Sequence, residues 1–188
     1  MYIPIVEKFF KSKITDDYVE ACHVINQNNV PEVGDRPLDE FKLLVQNSDY
    51  NCCIIENKTV VGFVICFQDN KTSSSFLTEQ NHKNFIEIQR QINNFLYIDR
   101  IAVHENYREL NIGKEIYQHV EKFAIMNSIK FLTAEINLLP KKNEISFKFH
   151  EKNGFREFST KKYSDDYEVS FQKKNLIRVE YSYEIFFT

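Results

Sequence analysis

The sequence predicts an α+β fold of three layers (α/β/α), in which helices cover both faces of a mixed, mostly antiparallel central sheet. Helical and strand-like segments alternate along the 188 residues, and a turn of three residues joins one pair of strands. Such a short turn makes an antiparallel hairpin, whereas parallel neighbours need long crossovers. The length suits one domain with a full hydrophobic core. We therefore expect a single domain over residues 1–188.

The first half of the chain predicts a strand, two helices and the hairpin, in that order. The segment IPIVEKF at 3–9 could be the strand, and helical apolar spacing begins at about Thr15, with Thr15 or Asp16 as the cap. A short helix follows over about 38–47. Two runs rich in β-branched and aromatic residues then flank Glu56-Asn57-Lys58, which predicts the hairpin.

The segment from Asp69 to Asn94 is polar and longer than ordinary connections between elements. In compact domains such inserts are usually lids, binding loops or mobile segments. The second half of this one, NFIEIQRQI, could be helical. We therefore expect an insert at about 69–94.

The second half of the chain predicts one clear helix among several strands. The helix covers 112–126, where one apolar stripe has the 3.6-residue period of a helix. Its members are Ile112, Ile116, Tyr117, Val120, Phe123 and Ala124. Strand-like runs follow at about 131–137, 155–160, 167–173 and 177–187. The last of these would be an extra C-terminal strand.

The segment at 143–153 can be interpreted in two ways. Ile145, Phe147 and Phe149 alternate as the residues on one face of a strand would. A helix would instead place Ile145 beside Phe149, and Gly154 stands where a glycine commonly ends a helix. Periodicity alone leaves both interpretations open.

Composition favours a soluble, cytosolic protein. The 24 Lys and Arg residues nearly balance the 27 Asp and Glu, which argues against a nucleic-acid footprint and against a basic membrane-binding surface. No apolar run is long enough to span a membrane or to act as a signal peptide. The four cysteines lack the spacing of a zinc site and fit buried, reduced thiols. We therefore expect no nucleic acid, membrane or metal as a partner.

The turn between Val103 and Ile112 suits an anionic group. Its N–H groups have no strand partner, and the first N–H groups of the following helix are unpaired as well. These donors converge at a helix N-terminus, where the dipole adds about half a positive charge. Gly113 allows close approach of the backbone, and Arg108 and Lys114 supply positive charge. An ordinary strand–turn–helix connection would look similar, so the turn alone does not decide.

Two motifs resemble those of the GCN5-related N-acetyltransferase (GNAT) superfamily. RELNIGK is similar to the family's pyrophosphate loop R-x-x-G-x-G/A, with Asn111 at the first glycine position and Gly113 at the second. NEISFKFHEKNGF, which begins at Asn143, is similar to N-x-x-A-x-x-F-Y-x-K-x-G-F, which starts the family's last helix. The order and separation of the motifs also match. The resemblance implies a GNAT-like sheet and favours a helix at 143–153.

The chain also resembles a bacterial group of predicted acetyltransferases of unassigned substrate. The shared features are a VPEVG turn after the first helix, a long insert before the fourth strand, and the strand FLYIDRIAV. This resemblance gives no acceptor.

The family resemblance implies acetyl-CoA as the co-substrate, whose pantetheine arm would pair with the strand at 101–103. The pyrophosphate would rest on the N–H groups of Glu109 to Lys114. The implied cofactor-binding residues are Ile101, Ala102, Val103, Arg108, Glu109, Leu110, Asn111, Ile112, Gly113, Lys114 and Asn143. Asn tolerates left-handed backbone better than other residues with a side chain, so we expect the turn to form, with weaker cofactor binding.

Three residues are candidates for catalysis of acetyl transfer to a primary amine, which needs a proton acceptor and often an acid for the departing thiolate. Asp99 lies in an apolar strand, with Arg100 expected on the opposite face, so it could bind the ammonium group or simply bond to a loop. Glu135 is a similar candidate in another apolar strand. His150 falls at the family's tyrosine position, where imidazole could serve as the acid.

Asn26 and Gln27 follow the first helix and are expected to shape the acceptor pocket. The other histidines (His23, His82, His104 and His119) are expected to be incidental.

We expect the acceptor to be a small or amino-acid-like amine. The alternatives are a decayed, CoA-binding regulatory protein and a protein N-terminal or lysine acetyltransferase, which an open groove at the insert would favour. The run at 177–187 could complete the sheet or pair with a second copy, which leaves a homodimer open.

Overall fold

The computed structural model describes residues 9–176, which form one seven-stranded sheet with helices on both faces. The strands are β1 (Phe10–Ser12), β2 (Tyr50–Glu56), β3 (Thr59–Gln68), β4 (Phe95–Val103), β5 (Phe131–Leu139), β6 (Arg156–Ser164) and β7 (Tyr167–Asn175). The helices are α1 (Asp16–Gln27), α2 (Leu38–Asn47), α3 (Lys71–Glu79), α4 (Lys83–Gln89), α5 (Ile112–Met126) and α6 (Glu144–Lys152). The strand predicted at 177–187 and most of the one predicted at 3–9 lie outside the described residues.

The sheet has the order β1-β2-β3-β4-β5-β7-β6, and its neighbours are antiparallel except for β4 and β5. This arrangement confirms the predicted α+β class with a mixed, mostly antiparallel sheet. The predicted hairpin is also confirmed, because Asn57 and Lys58 join β2 to β3 with φ angles of 48° and 67°. Two residues with positive φ are typical of the tight turns that match the twist of paired strands.

Each face of the sheet has its own hydrophobic core. The first face is covered by α1, α2, α3 and α4, and its buried residues include Phe41, Phe63 and Phe85. The second face is covered by α5 and α6, where Tyr117 and Phe155 are buried. The predicted three-layer arrangement is therefore confirmed.

The insert forms two helices that pack on the first face. Its second half, α4, was predicted, whereas α3 was not. α3 begins because the Asn70 side chain accepts a hydrogen bond from the Ser73 backbone N–H at 2.9 Å, which caps the helix. Leu77, Phe85 and Ile88 from the two helices are fully buried in the first core. The insert is thus a packed part of the domain on this face.

The ambiguous segment at 143–153 is a helix, as the family resemblance implied. The Asn143 side chain caps α6 by accepting from the Ser146 backbone N–H at 3.0 Å. Gly154 ends the helix with a φ of +86°, which side chains rarely permit.

The described residues bear on two further expectations, which concern membrane-spanning helices and the cysteines. Within 9–176, no helix is long and apolar enough to cross a membrane. All four cysteines are free and buried, as predicted.

Candidate active site

β4 and β5 separate after a short parallel contact. They pair at three positions, which are Phe95 with Phe131, Leu96 with Leu132 and Tyr97 with Thr133. Beyond these pairs, β4 stays bonded to β3 and β5 stays bonded to β7. A wedge therefore opens between the two strands, and their facing backbone groups have no strand partner within residues 9–176. Unpaired strand edges of this kind can hydrogen-bond an extended ligand.

The turn between β4 and α5 presents backbone donors in the manner expected of an anion site. Glu109 and Asn111 both have left-handed backbone, with φ angles of 67° and 63°. Among the described residues, no acceptor pairs with the N–H groups from Glu109 to Lys114. Successive free N–H groups at a helix N-terminus form a concave anion-binding surface. The expectation that Asn111 would allow the turn to form is confirmed.

Two glycines let the elements around this turn approach closely. A Cβ on Gly62 of β3 would lie 3.0 Å from Ile112 Cγ2 at the start of α5. A Cβ on Gly113 would lie 2.8 Å from Cζ of Phe149 in α6. Gly113 therefore permits the packing of α5 against α6, so the two family-like motifs are in direct contact.

Two of the side chains predicted beside the cofactor, Arg108 and Asn143, have protein partners. Arg108 donates from Nη2 to Asn29 Oδ1 at 2.9 Å, so its guanidinium reaches the loop after α1. The Asn143 carboxamide oxygen caps α6 and leaves its NH₂ group available. The roles of both residues toward acetyl-CoA stay predictions.

Asp99 lies at a β-bulge in β4. Ile98 pairs with Cys66 and Arg100 with Ile65, which leaves Asp99 as the extra residue. The bulge breaks the strict alternation of side chains, so the expectation that Arg100 points away from Asp99 is wrong. Arg100 Nε donates to Asp99 Oδ2 at 2.6 Å.

A second side chain reaches Asp99 from the insert. His82 Nε2, between α3 and α4, donates to Asp99 Oδ1 at 2.5 Å. The Asp99 side chain is 1% exposed, so His82, Asp99 and Arg100 form a buried, hydrogen-bonded triad. The expectation that His82 is incidental is therefore wrong. The sequence offered no signal for this contact, because the partners are seventeen positions apart and meet only through the bulge and the packed insert.

The charges of the triad support one another. Burial alone would raise the pKa of Asp99, but the Arg100 charge and the His82 hydrogen bond outweigh burial and hold this pKa well below its usual range. Burial would lower the pKa of His82, but the bond and charge of Asp99 outweigh it, so the pKa is raised. The triad therefore favours an ionised Asp99 and a protonated His82.

The raised pKa of His82 predicts a pH-dependent stability. A group with a raised folded-state pKa contributes stability that is fully present below its unfolded pKa, about 6.5, and is lost as pH rises through the folded pKa. We expect the free energy of unfolding to fall as pH rises above neutral, and to fall less in His82→Gln. Urea unfolding from pH 6 to pH 9 measures both. The same change in the free energy of unfolding between pH 6 and pH 9 in both proteins would contradict the prediction.

Asn26 and Gln27, predicted in the acceptor pocket, are tied to the loop after α1. Asn26 is fully buried, and its Oδ1 accepts from Arg100 Nη1 at 3.0 Å. Asn26 Nδ2 donates to the Gly34 carbonyl at 3.2 Å, and Gln27 Nε2 donates to Asp35 Oδ1 at 2.7 Å. Asn26 thus extends the triad to α1, and the substrate-binding roles of both residues stay predictions.

Glu135 lies across the wedge from Asp99. Its partner in β7 is Phe171, a residue of the first core, which places the carboxylate on that face of the sheet. Among the described residues, Glu135 Oε2 is buried without a hydrogen bond of ordinary length, but Tyr97 and Asn84 lie near enough to act as donors to this carboxylate and to lower its pKa. Burial raises the pKa of Glu135, and the charge of His82 only partly opposes this effect. His82 and Arg100 occupy both oxygens of Asp99, so the triad leaves Glu135 without a salt bridge within residues 9–176.

His150 lies on the other face of the sheet and is 3% exposed. Its Nδ1 donates to the Ser146 carbonyl at 2.8 Å, so in the neutral ring Nε2 accepts from the Tyr117 hydroxyl, also at 2.8 Å. The rings of Tyr117 and Phe155 pack edge-on against it. Burial lowers the pKa of His150 to about 4. A neutral imidazole with both nitrogens occupied has no proton to offer a thiolate in this conformation.

These contacts predict that His150→Ala mainly affects stability. The substitution leaves a cavity and removes the partner of the buried Tyr117 hydroxyl, so we expect a loss of about 2–4 kcal/mol in the free energy of unfolding. Urea unfolding measures this loss, and kcat is compared at a temperature where the variant is folded. A kcat loss of about 100-fold with unchanged stability would instead support the predicted role of His150 as the acid.

Fold and site together define the class of protein. The open edge of β4 at 101–103 and the N–H groups of 109–114 are the two places to which the family resemblance assigned the pantetheine arm and the pyrophosphate of acetyl-CoA. The chain matches the family model described as "Acetyltransferase (GNAT) family" over residues 15–155. The chain belongs to the GNAT family and is an acyltransferase of the N-acetyltransferase class.

Solved structures share the fold along nearly the whole chain. Ard1 from Thermoplasma volcanium has a TM-score of 0.71 at 14% identity, and the match covers 91% of this chain and 99% of that one. The ribosomal-protein-S18-alanine N-acetyltransferase of Escherichia coli has a TM-score of 0.64 at 13% identity, over 93% and 97% of the two chains.

An aminoglycoside 6′-N-acetyltransferase, solved with coenzyme A, has a TM-score of 0.67 at 13% identity, over 90% of this chain and 98% of that one. Identities this low show a common fold and leave the acceptor open. No curated protein sequence matches the chain.

Between residues 9 and 176, no group of three or more His, Cys, Asp or Glu side chains could hold a metal ion.

Proposed function

We propose that the protein transfers the acetyl group of acetyl-CoA to the primary amine of a small molecule by direct attack. The observation that carries this proposal is the wedge between β4 and β5, which ends beside the free N–H groups of 109–114. The pantetheine arm would lie in the wedge against the backbone of Ile101 to Val103. The pyrophosphate would accept hydrogen bonds from the turn, where Lys114 adds positive charge.

The two carboxylates at the wedge have different roles in this proposal. Asp99 and Glu135 each stand two residues beyond the last strand pair, Tyr97 with Thr133, and they interact electrostatically. Asp99 is occupied by His82 and Arg100, so we assign it to holding the insert and α1 against β4. Glu135 is free to bind the incoming ammonium group and to accept its proton.

Every bond and proton of the proposed acetyl transfer can be accounted for with acetyl-CoA, the amine and residues of this chain. The neutral amine attacks the thioester carbonyl carbon, a C–N bond forms, the C–S bond breaks, and CoA leaves as a thiolate. Glu135 takes the proton that the amine loses, directly or through water. Unpaired backbone N–H groups of β4 in the wedge are available to the developing oxyanion. A thiolate is a good enough leaving group to depart without a strong acid, since ordinary thiols have a pKa of about 8.5.

The packing of the insert on the first face supports a small acceptor over a protein. A protein N-terminus or lysine needs an open groove on the first face, where the insert packs instead. Leu77, Phe85 and Ile88 anchor this insert in the core, and His82 bonds it to β4.

Calorimetric titration of acetyl-CoA into the protein tests the proposal, with desulfo-CoA and ATP as comparison ligands. We expect acetyl-CoA and desulfo-CoA to bind with similar affinity and ATP to bind far more weakly, because ATP lacks the pantetheine arm. Equal binding of ATP, or no binding of acetyl-CoA at millimolar concentration, would contradict it. Binding without turnover of any amine would instead favour a regulatory protein that has lost its catalytic function.

A further inference from the structure

The side chain of Arg108 is held by a residue of the loop after α1. Arg108 directly precedes the turn at 109–114 and is exposed. Its Nη2 donates to Asn29 Oδ1 at 2.9 Å, and the two residues are 79 positions apart in the sequence. Within residues 9–176 this is the only hydrogen bond of the Arg108 side chain, which has no carboxylate partner there. The contact with Asn29 is therefore what fixes the direction of the guanidinium.

The Asn29 carboxamide is itself oriented by the end of α1. Its Nδ2 donates to the Ile25 carbonyl at 2.8 Å, and the Asn29 backbone N–H donates to the Asn26 carbonyl at 2.9 Å. The Asn29 carbonyl accepts from the Val33 N–H, also at 2.9 Å, which fixes the following turn of the loop. Because the NH₂ group is used at Ile25, the carboxamide oxygen faces Arg108. The amide cannot turn over without losing both bonds.

The loop that carries Asn29 is anchored from its other side by the triad. Asn26 is fully buried and accepts from Arg100 Nη1 at 3.0 Å. The same Arg100 nitrogen donates to the Gly34 carbonyl at 3.3 Å. Both ends of the segment 26–34 are therefore fixed to β4. Asn29 stands on a rigid base, which a residue that positions another side chain requires.

The contact with Asn29 leaves the guanidinium able to bind an anion. A guanidinium has five N–H donors, and Asn29 takes one of those on Nη2. One complete edge of two parallel N–H groups remains, which matches two oxygens of a phosphate. An exposed arginine without such a contact loses much rotamer freedom when it binds an anion. A hydrogen bond formed before the ligand arrives reduces this loss and so favours binding.

We propose that Asn29 is a positioning residue for the pyrophosphate of the cofactor. Asn29 holds the Arg108 guanidinium beside the turn, and the free edge of this guanidinium binds the pyrophosphate. The inference rests on the proposed function and adds to it a residue that contributes to cofactor affinity through another side chain. The family-like motifs do not include Asn29, because only the folded chain brings positions 29 and 108 together.

Calorimetric titration of CoA into two single variants and their double variant tests the proposal. Arg108→Ala should weaken CoA binding at least about 10-fold, because it removes charge-assisted hydrogen bonds. Asn29→Ala should weaken it about 3- to 10-fold, because the guanidinium loses its orientation. The double variant should bind CoA as Arg108→Ala alone does, because Asn29 acts only through Arg108. A merely structural effect of Asn29→Ala would instead add to that of Arg108→Ala.

Asn127→Ala is the matched control. Asn127 follows α5, and its Nδ2 donates to the Phe123 carbonyl at 2.8 Å, which is the same bond that Asn29 makes to Ile25. In the described part of the chain its carboxamide oxygen holds no arginine. CoA affinity in Asn127→Ala should stay within a factor of two of the natural value. All variants are titrated at a temperature where urea unfolding shows them to be folded.

The outcomes separate this inference from the proposed function. Unchanged CoA affinity in Asn29→Ala would overturn the inference, and so would tighter binding, which would mean that Asn29 competes with the cofactor for Arg108. Losses that add in the double variant, or natural affinity in Arg108→Ala, would overturn it as well. In each of these cases the natural protein still binds CoA, so the proposed function stands. Failure of the natural protein to bind CoA would overturn the proposed function itself.

Discussion

Glu135→Gln is expected to lower kcat at least about 100-fold while acetyl-CoA affinity stays within a factor of two. Glutamine keeps the shape of the side chain but cannot accept the proton of the attacking amine. General base catalysis typically contributes about 10²–10⁴-fold, so its loss should dominate the kinetics. Thiol release gives kcat, and calorimetry with desulfo-CoA gives the affinity.

The pH profile distinguishes a base from a merely structural carboxylate. Burial raises the pKa of Glu135 above its ordinary value, so activity of the natural protein should rise with pH as this group loses its proton. Glu135→Gln should lack that rise, whereas Glu79→Gln, whose side chain is exposed, should keep both the rise and the natural kcat. Retention of more than a third of kcat in Glu135→Gln, with an unchanged pH profile, would remove Glu135 from the mechanism.

Asp99→Asn is expected to lower the free energy of unfolding by about 3–5 kcal/mol. The substitution keeps the shape of the side chain and removes its charge, so Arg100, 4% exposed, would be left as an uncompensated buried cation. Breaking a buried ion pair from one side typically has a cost of this size. Urea unfolding at pH 7 measures it.

A matched control removes an exposed aspartate charge. Asp165 pairs with Lys162 at the surface, and Asp165→Asn should change the free energy of unfolding by less than about 0.5 kcal/mol. The Asp99 contribution should also disappear in acid. A group with a lowered folded-state pKa stabilises above its unfolded pKa, about 3.9, and this stability is lost as pH falls through the folded pKa. A loss below about 1 kcal/mol at pH 7 in Asp99→Asn would show that the triad contributes little.

Helices with a regular apolar stripe could be predicted from the sequence closely. The predicted helices at 38–47 and 112–126 match α2 and α5 because their spacing reflects burial against one face of the sheet. α3 could not be found in this way, since it depends on a cap at Asn70 and on packing of only a few residues. Its short, polar sequence has no long stripe.

The part of the candidate site that depends only on local backbone conformation could be predicted from the sequence. The left-handed turn at Asn111 follows from the tolerance of asparagine, and the family motifs located it. The bulge that joins Asp99 to Arg100 could not be predicted, because it is a shift between two strands distant in sequence. The contact of His82 depends on the same shift and on the docked insert.

A crystal structure with CoA bound tests the central claim most directly. The account predicts that the pantetheine arm lies between β4 and β5, hydrogen-bonded to the backbone of residues 101–103. The pyrophosphate should accept from the N–H groups of 109–114, and the thiol should end near Glu135 on the first face. A CoA molecule bound elsewhere, with the wedge closed or empty, would contradict both the cofactor site and the role given to Glu135.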